Sequence, residues 1–257
     1  MQQLDETKIS KAIIQTYSER LVDRVNSDVL IVGAGPAGMV AAYYLTRDGF
    51  KATILERRLS PGGGVWGGGM GMSQAVVQDD AVPILDEFGV RHKEAGDGLH
   101  TADAVELASA VCAKTIQTGA EIFNLTMAED VAVHADRVVG VVVNKSMIGG
   151  ALPVDPVTFH AKATIDTTGH EAVIVNAMRK RGLLPESSPA RHGVEGPMDA
   201  TLGEAFVVEK VCEVFPGLWV SGMSVCAALG GPRMGPIFGG MLLSGKNVAE
   251  KVAAAIR

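Results

Sequence analysis

Three glycines with the spacing Gly-x-Gly-x-x-Gly stand between an apolar run and a helical segment; they are Gly33, Gly35 and Gly38. In dinucleotide binding Gly33 would permit a tight turn, Gly35 would let the backbone approach a pyrophosphate, and Gly38 would let the helix pack on the strand. Free N–H groups at the start of the helix attract phosphate. A second apolar strand follows and ends at Glu56. This context predicts a dinucleotide site rather than a glycine-rich turn without a ligand.

The acid at the end of the second strand and the loop behind it extend this site. Glu56 can accept hydrogen bonds from ribose hydroxyls and would repel a 2′-phosphate, so NAD or FAD is favoured over NADP. The following loop, residues 61–71, reads PGGGVWGGGMG. Its many glycines beside Trp66 favour backbone that lies against a ligand or forms a mobile lid, and a plain surface turn is the alternative.

Two further residues have the chemistry of metal ligands. Asp155 stands between Val154 and Pro156, and His170 follows Gly169. One carboxylate and one imidazole form a partial ligand shell of the kind that Fe(II) uses, with positions left open for water or substrate. An aspartate in a turn and a histidine that caps a helix are the alternative interpretations.

One arginine has the surroundings of an anion anchor. Arg233 lies in the run GGPRMGP, where glycines and prolines would present its guanidinium for bidentate binding of a carboxylate. An ordinary surface arginine is the competing interpretation.

Hydrophobic periodicity indicates the elements that must position these residues. An N-terminal helix within residues 5–25 is amphipathic from Lys8 onward, with Ile9, Ile13, Ile14, Tyr17, Leu21 and Val25 on one stripe that is expected to pack on the body or on a neighbouring subunit. The other predicted elements are helices over 81–88, 101–118 and 241–256, strands over 121–125, 157–167 and 217–221, a hairpin of 127–134 with 137–144, and flexible or polar loops over 145–152 and 184–196.

This element order predicts the fold class. A βαβ start, an inserted antiparallel β-hairpin and a late return to the sheet are typical of the α/β, Rossmann-like dinucleotide-binding fold of glutathione-reductase type. No linker interrupts the chain, so one domain over residues 1–257 is expected. In flavoproteins of that type a final strand ends in Gly-Asp, and the Asp holds the flavin. Here the dipeptide is Gly222-Met223, and Met223 cannot accept those hydrogen bonds.

Composition excludes several classes of protein. The 257 residues are 47% hydrophobic and 20% charged, which allows a large core. The net charge is −6 and the longest basic run is Arg179-Lys180-Arg181, which argues against a nucleic-acid partner. The sequence shows neither a membrane span nor a signal peptide. The three cysteines are scattered without a CxxC pair, which fits a reduced cytoplasm and offers no zinc site.

Taken together, these motifs resemble the thiazole synthase family of thiamine biosynthesis. The resemblance covers nearly the whole chain: DVLIVGAGPAG, then PGGGVWGGG, VDP, TTGH, GLWVSGM and GGPRMGPIFGGMLLSGK. It implies that NAD is consumed as a substrate: nicotinamide leaves, glycine condenses with the opened ADP-ribose, sulfur is added, and an adenylated thiazole carboxylate forms with the help of Fe(II). It also implies a homo-octamer in which the loop carrying Asp155 reaches into a neighbouring subunit's site.

The resemblance assigns roles to single residues. Asp155 and His170 correspond to the iron ligands, and Arg233 corresponds to the arginine that holds the carboxylate of glycine. The expected nucleotide contacts are Gly33, Gly35, Ala37, Gly38, Glu56, Arg57, Gly64, Val131 and Met223.

The source of the sulfur depends on one position. Some family members donate sulfur from a cysteine two residues before the iron-binding aspartate and turn over once, whereas others lack it and use free sulfide catalytically. This chain has Pro153 there. The resemblance therefore implies a sulfide-dependent catalyst. The alternatives are a flavin-dependent oxidoreductase, which the fold alone allows, and a non-catalytic NAD- or thiazole-binding homologue, which Pro153 leaves open.

Overall fold

The computed structural model describes residues 4–147 and 155–257. No helix in these two segments is long and apolar enough to cross a lipid bilayer. The α-helices found there are α1 (Glu6–Arg24), α2 (Pro36–Arg47), α3 (Val82–Phe88), α4 (Ala104–Gln117), α5 (Val173–Lys180), α6 (Ala200–Glu209), α7 (Met223–Leu229) and α8 (Gly239–Ile256).

The strands form one large sheet and two small ones. Their bounds are β1 (Asn26–Val32), β2 (Ala52–Leu55), β3 (Gln74–Gln78), β4 (His92–Gly96), β5 (Leu99–Asp103), β6 (Glu121–Phe123), β7 (Thr126–His134), β8 (Arg137–Lys145), β9 (Val157–Asp166), β10 (Gly196–Met198), β11 (Cys212–Phe215), β12 (Leu218–Val220) and β13 (Pro232–Arg233). Within the described residues the large sheet has eight strands, of which six follow the order β11-β12-β9-β1-β2-β6.

The centre of the large sheet is parallel and buried on both faces. Strand β1 lies between β2 and β9 and runs parallel to both, so its carboxyl end meets theirs at one edge. The residues Val29, Leu30 and Ile31 of β1 are fully buried. Continuous apolar runs of this kind are what a sheet covered by helices on both sides requires. The predicted α/β, Rossmann-like fold is therefore confirmed.

The predicted hairpin is present and joins the sheet. Strands β7 and β8 pair antiparallel around the turn at Ala135 and Asp136, and β8 then pairs with the first half of β9. Both turn residues have positive φ values, 47° and 56°, as two-residue hairpin turns require.

Only half of the apolar stripe of the N-terminal helix packs on the body of the chain, and packing of the other half on a neighbouring subunit stays a prediction. Tyr17 and Leu21 pack against the core, whereas Ile9, Ile13 and Ile14 are 48%, 65% and 63% exposed. The amino-terminal part of the helix therefore extends beyond the described body of the chain.

Several predicted bounds need correction. Residues 101–103 belong to β5 instead of a helix, and Asp103 caps α4 by accepting from the Glu106 N–H. The strand predicted over 121–125 ends at Phe123, because Leu125 has a φ of 51°. Most of the loop predicted over 145–152 lies outside the described residues.

Several elements, β11 and α7 among them, had no counterpart in the sequence-based prediction. The small sheet β3-β5-β4 and the helix α6 lie in segments without clear periodicity, and the two-stranded pair β10-β13 lies within or beside predicted loops. The pair β10-β13 holds Arg233, the predicted anion anchor, beside the chain that follows residue 195.

Candidate active site

A cavity of about 880 Å³ opens at the carboxyl ends of β1, β2 and β9. Ligands of open α/β sheets bind at this edge. Of the residues that the sequence analysis proposed, those lining it are Gly33, Gly35, Ala37, Glu56, Arg57, Gly64, His170, Met223 and Arg233. We call the part formed by Gly33, Gly35, Glu56 and Gly64 the sheet half. We call the part formed by His170 and Arg233, together with Glu195, whose carboxylate contacts both side chains, the loop half.

The three glycines of the turn have different surroundings. A Cβ on Gly33 (φ +104°) would lie 2.7 Å from the carbonyl oxygen of Thr167, and one on Gly38 would overlap the carbonyl oxygen of Gly33. A Cβ on Gly35 would have no atom within 4 Å, because this residue faces the open cavity. Gly33 and Gly38 therefore allow close packing of the chain, whereas Gly35 leaves room for a ligand.

Glu56 fixes the shape of the turn as well as facing the cavity. Its side chain is 6% exposed, and its two oxygens accept the Ala34 N–H at 2.7 Å and the Arg58 N–H at 2.7 Å. An ionised carboxylate has about four acceptor positions, so it keeps capacity for a ribose hydroxyl.

The glycine-dense loop packs onto the turn. The Gly62 N–H donates to the Ala34 carbonyl at 2.7 Å, and the Trp66 indole N–H donates to the Pro61 carbonyl at 2.7 Å. Gly62 has a φ of +123° and its α-carbon faces the indole ring, so a larger side chain would collide there. The loop therefore forms one wall of the cavity.

An ion pair joins the two sides of the cavity mouth. The Arg57 guanidinium donates to both carboxylate oxygens of Glu171, at 2.6 and 2.8 Å. The hydrogen bonds from Arg57 lower the pKa of Glu171, and Glu171 raises the pKa of Arg57. The side chains are 46% and 53% exposed, which limits the pair's effect on stability.

In the loop half, one carboxylate faces both predicted reactive residues. His170 Nδ1 lies 2.6 Å from Oε1 of Glu195, and Nε of Arg233 lies 3.7 Å from Oε2 of the same carboxylate. His170 and Arg233 are 52% and 56% exposed, whereas Glu195 is 19% exposed. Glu195 has no motif around it in the sequence, so sequence reasoning missed it.

A second acid that the sequence analysis missed positions the turn carrying His170. Asp166, fully buried at the end of β9, accepts from the Thr168 backbone and hydroxyl and from the N–H groups of Ile174 and Val175 at 2.7–3.1 Å. Ser224 also donates to it at 3.1 Å. An acid at the end of an apolar strand was the available signal, since a buried carboxylate must find donors.

The two predicted metal ligands are far apart in one chain. Asp155 is exposed and precedes β9, whereas His170 follows its other end. A strand of ten residues spans about 30 Å at 3.3 Å per residue. Among residues 4–147 and 155–257, no group of three or more His, Cys, Asp or Glu side chains could hold a metal ion.

Three other residues predicted to contact the nucleotide differ in where they lie relative to the cavity. Gly38 lies beneath the turn without lining the cavity, and Val131 is half-buried in β7 outside it. Met223 lines the cavity as the first residue of α7 and is 7% exposed. Pro153 lies outside the described residues.

The cysteines do not line the cavity. None of Cys112, Cys212 and Cys226, all within described segments, lines it. Burial raises the pKa of all three thiols, that of Cys226 to about 12. Each thiol is therefore protonated, and a poor nucleophile, at neutral pH.

Comparisons of the sequence and of the structure with known proteins find the same family. The model of the Thi4 family matches residues 10–238. Thiamine thiazole synthase of Pyrococcus horikoshii is 47% identical over 255 residues, which cover 99% of each chain. The protein of that name from Thermotoga maritima is 45% identical over 250 residues, which cover 97% of each chain. The crystal structure of Thermovibrio ammonificans THI4 superposes with a TM-score of 0.95 at 43% identity and covers 99% of each chain.

Proposed function

The chain belongs to the Thi4 family of thiamine thiazole synthases, and from this premise we propose that it makes an adenylated thiazole carboxylate for thiamine from NAD, glycine and sulfide. In this proposal NAD is consumed and releases nicotinamide, and Fe(II) is required. The observation that carries it is the meeting of a dinucleotide-binding turn with His170 and Arg233 in one cavity.

The sheet half suits the nucleotide. Its glycine turn leaves space above Gly35, and the N-terminus of α2 offers N–H groups to a pyrophosphate. Glu56 would accept from a ribose hydroxyl. The volume of about 880 Å³ lies within the range of small-molecule sites, roughly 300–1,000 Å³.

The loop half suits a small amino acid. Arg233 presents a half-exposed guanidinium, which matches a carboxylate such as that of glycine. His170 would hold the iron through Nε2, which has no hydrogen-bond partner among the described residues. Bound Fe(II) would make the glycine-derived imine and hydrogen sulfide more acidic.

We expect a catalyst that uses free sulfide. Pro153 stands where sulfur-donating relatives have a cysteine, and the three thiols of this chain are buried or half-buried and do not line the cavity. We accordingly predict that each protein molecule turns over repeatedly and works in a reducing cytoplasm.

The distance between Asp155 and His170 supports a site shared between subunits. Because β9 separates them by about 30 Å, both could hold one iron only if Asp155 came from another copy of the chain. We therefore expect a homo-oligomer, with an octamer as the expected size, and no nucleic-acid or membrane partner.

Mixed oligomers test the shared site. We expect Asp155→Ala and His170→Ala to be inactive alone and to regain activity when co-expressed, with about a quarter of the sites wild type if subunits pair at random. Co-expression of either variant with itself is the control. Inactive mixed oligomers would contradict the shared site.

An anaerobic incubation tests the function as a whole. Protein at substoichiometric amount would be mixed with NAD, glycine, sulfide and Fe(II), and the products read by mass spectrometry. We expect adenylated thiazole in excess over protein and none when sulfide is omitted. Unchanged NAD with a yellow, flavin-containing protein would favour the oxidoreductase alternative. Ligand binding without turnover, unaffected by Asp155→Ala or His170→Ala, would favour the non-catalytic one.

A further inference from the structure

The Glu195 carboxylate occupies the space between two residues that come from different parts of the fold. His170 lies in the short turn after β9, Arg233 lies in β13, and Glu195 precedes β10, which pairs with β13. Oxygen Oε1 lies 2.6 Å from His170 Nδ1, and Oε2 lies 3.7 Å from Arg233 Nε. Among the three, Glu195 is the most buried.

A carboxylate at Nδ1 determines which nitrogen of the imidazole can bind a metal. A carboxylate oxygen only accepts hydrogen bonds, so the proton of a neutral imidazole is held on Nδ1 and the lone pair is left on Nε2. The same contact fixes the orientation of the ring and makes the imidazole a stronger ligand. This matters here because His170 is half exposed and little else restrains its side chain.

The second oxygen acts on the arginine. Because Nε is the guanidinium nitrogen nearest to Glu195, the two terminal nitrogens remain available for a substrate carboxylate. One partly buried acid thus links the orientation of the imidazole to that of the guanidinium.

We propose that Glu195 is a positioning residue of the active site, which accepts the Nδ1–H of His170 so that Nε2 faces the metal and which orients Arg233 for the carboxylate of the amino acid. This inference rests on the proposed function, because it takes His170 as a metal ligand and Arg233 as the substrate anchor.

Metal binding to the intact oligomer tests the proposal without relying on turnover. Co(II) would be titrated anaerobically and followed by its visible absorption. We expect Glu195→Ala to weaken Co(II) binding by about 10- to 100-fold, the usual effect of losing such a partner. Glu195→Gln should lose less Co(II) affinity than Glu195→Ala, because its amide oxygen can still accept the Nδ1–H of His170.

A matched control comes from the same loop. Glu186 is 79% exposed and pairs with Arg191, so Glu186→Gln removes the same charge away from His170 and should bind Co(II) as the wild type does. In the His170→Ala background, Glu195→Ala should cause no further loss, because its effect is transmitted through the imidazole. The melting temperature of each variant would be measured to establish that it is folded.

Two outcomes overturn the proposal alone, and a third overturns it together with the iron site of the proposed function. The positioning role is wrong if Glu195→Ala binds Co(II) like the wild type while His170→Ala does not. It is equally wrong if the loss caused by Glu195→Ala is undiminished in the His170→Ala background. If His170→Ala itself binds Co(II) normally, the iron site of the proposed function fails, and this inference fails with it.

Discussion

In the sheet half of the cavity the glycine turn and Glu56 are held by close backbone contacts, whereas in the loop half His170 and Arg233 are each about half exposed. The sheet half is continuous with the core, so its geometry is maintained by the same contacts that stabilise the fold. The loop half depends on a few side-chain contacts, centred on Glu195. The difference indicates that changes to the closely packed groups of the sheet half should alter stability, while changes in the loop half should alter chemistry alone.

The largest loss of stability is expected from a methyl group beneath the turn. Gly38→Ala would place a Cβ against the Gly33 carbonyl and 2.6 Å from the Thr167 hydroxyl, so α2 would have to move away from β1. We expect a loss of about 3 kcal/mol or more in the free energy of unfolding, the upper end for overpacking. Thermal and denaturant unfolding would measure it.

Gly35→Ala is the matched control for that variant. Its new Cβ meets no atom within 4 Å and its φ of −76° suits alanine, so the melting temperature should stay close to that of the wild type. NAD binding should fall at least about tenfold, because the methyl occupies space that the pyrophosphate would need. A normal NAD affinity for Gly35→Ala would remove the main support for the nucleotide site.

A smaller loss is expected from Glu56→Gln. The amide has only one oxygen, so the Ala34 or the Arg58 N–H would lose its acceptor inside the protein. We expect about 1–3 kcal/mol of lost stability together with weaker NAD binding. Calorimetry with and without NAD separates the two effects. Unchanged stability would show that the carboxylate does not hold the turn.

Replacing the carboxylate of Glu204 by a neutral amide should increase stability by an amount that depends on pH. Its carboxylate accepts from the Gly240 N–H and the Gln78 amide, and burial raises its pKa above the ordinary value of 4.5. The folded protein therefore favours the protonated acid. The stabilising contribution of this group to the free energy of unfolding is fully present below pH 4.5 and is lost as the pH rises through the raised pKa.

Glu204→Gln should accordingly stabilise the protein at pH 8 by about 1 kcal/mol, or roughly 2–4 °C in melting temperature, and have little effect near pH 4. Melting curves across this range would test it. An equal gain at both pH values would mean that the cause is packing and not charge. Glu209→Gln, at the exposed end of the same helix, is the control.

The smallest effect on stability is expected in the loop half. Arg233→Gln should change the free energy of unfolding by about 0.5 kcal/mol or less, because the side chain is half exposed and its ion pair is long. The Michaelis constant for glycine should rise strongly, while NAD binding stays unchanged. Steady-state kinetics and NAD titration would measure both. A large loss of stability would contradict the separation of the two halves.

Local patterns were sufficient to predict much of the fold. The β1–α2–β2 unit, the hairpin β7–β8 and the final helix each follow from periodicity and turn residues within a short stretch of chain. The prediction was weaker where structure depends on remote partners. The small sheet β3-β5-β4 has no clear period of its own, and the exposed start of α1 has an apolar stripe without a partner in the described chain.

By itself, the sequence determined the glycine turn, the acid that follows β2 and the motifs that identify the family, because each depends on residue type and short spacing. The tertiary structure alone decided that Glu195 meets His170 and Arg233, and that Asp155 lies at the opposite end of β9 from His170. Those relations join residues separated by long stretches of chain or by a whole strand. They depend on the strand direction and on which loops pack together, and no local pattern of residues encodes either.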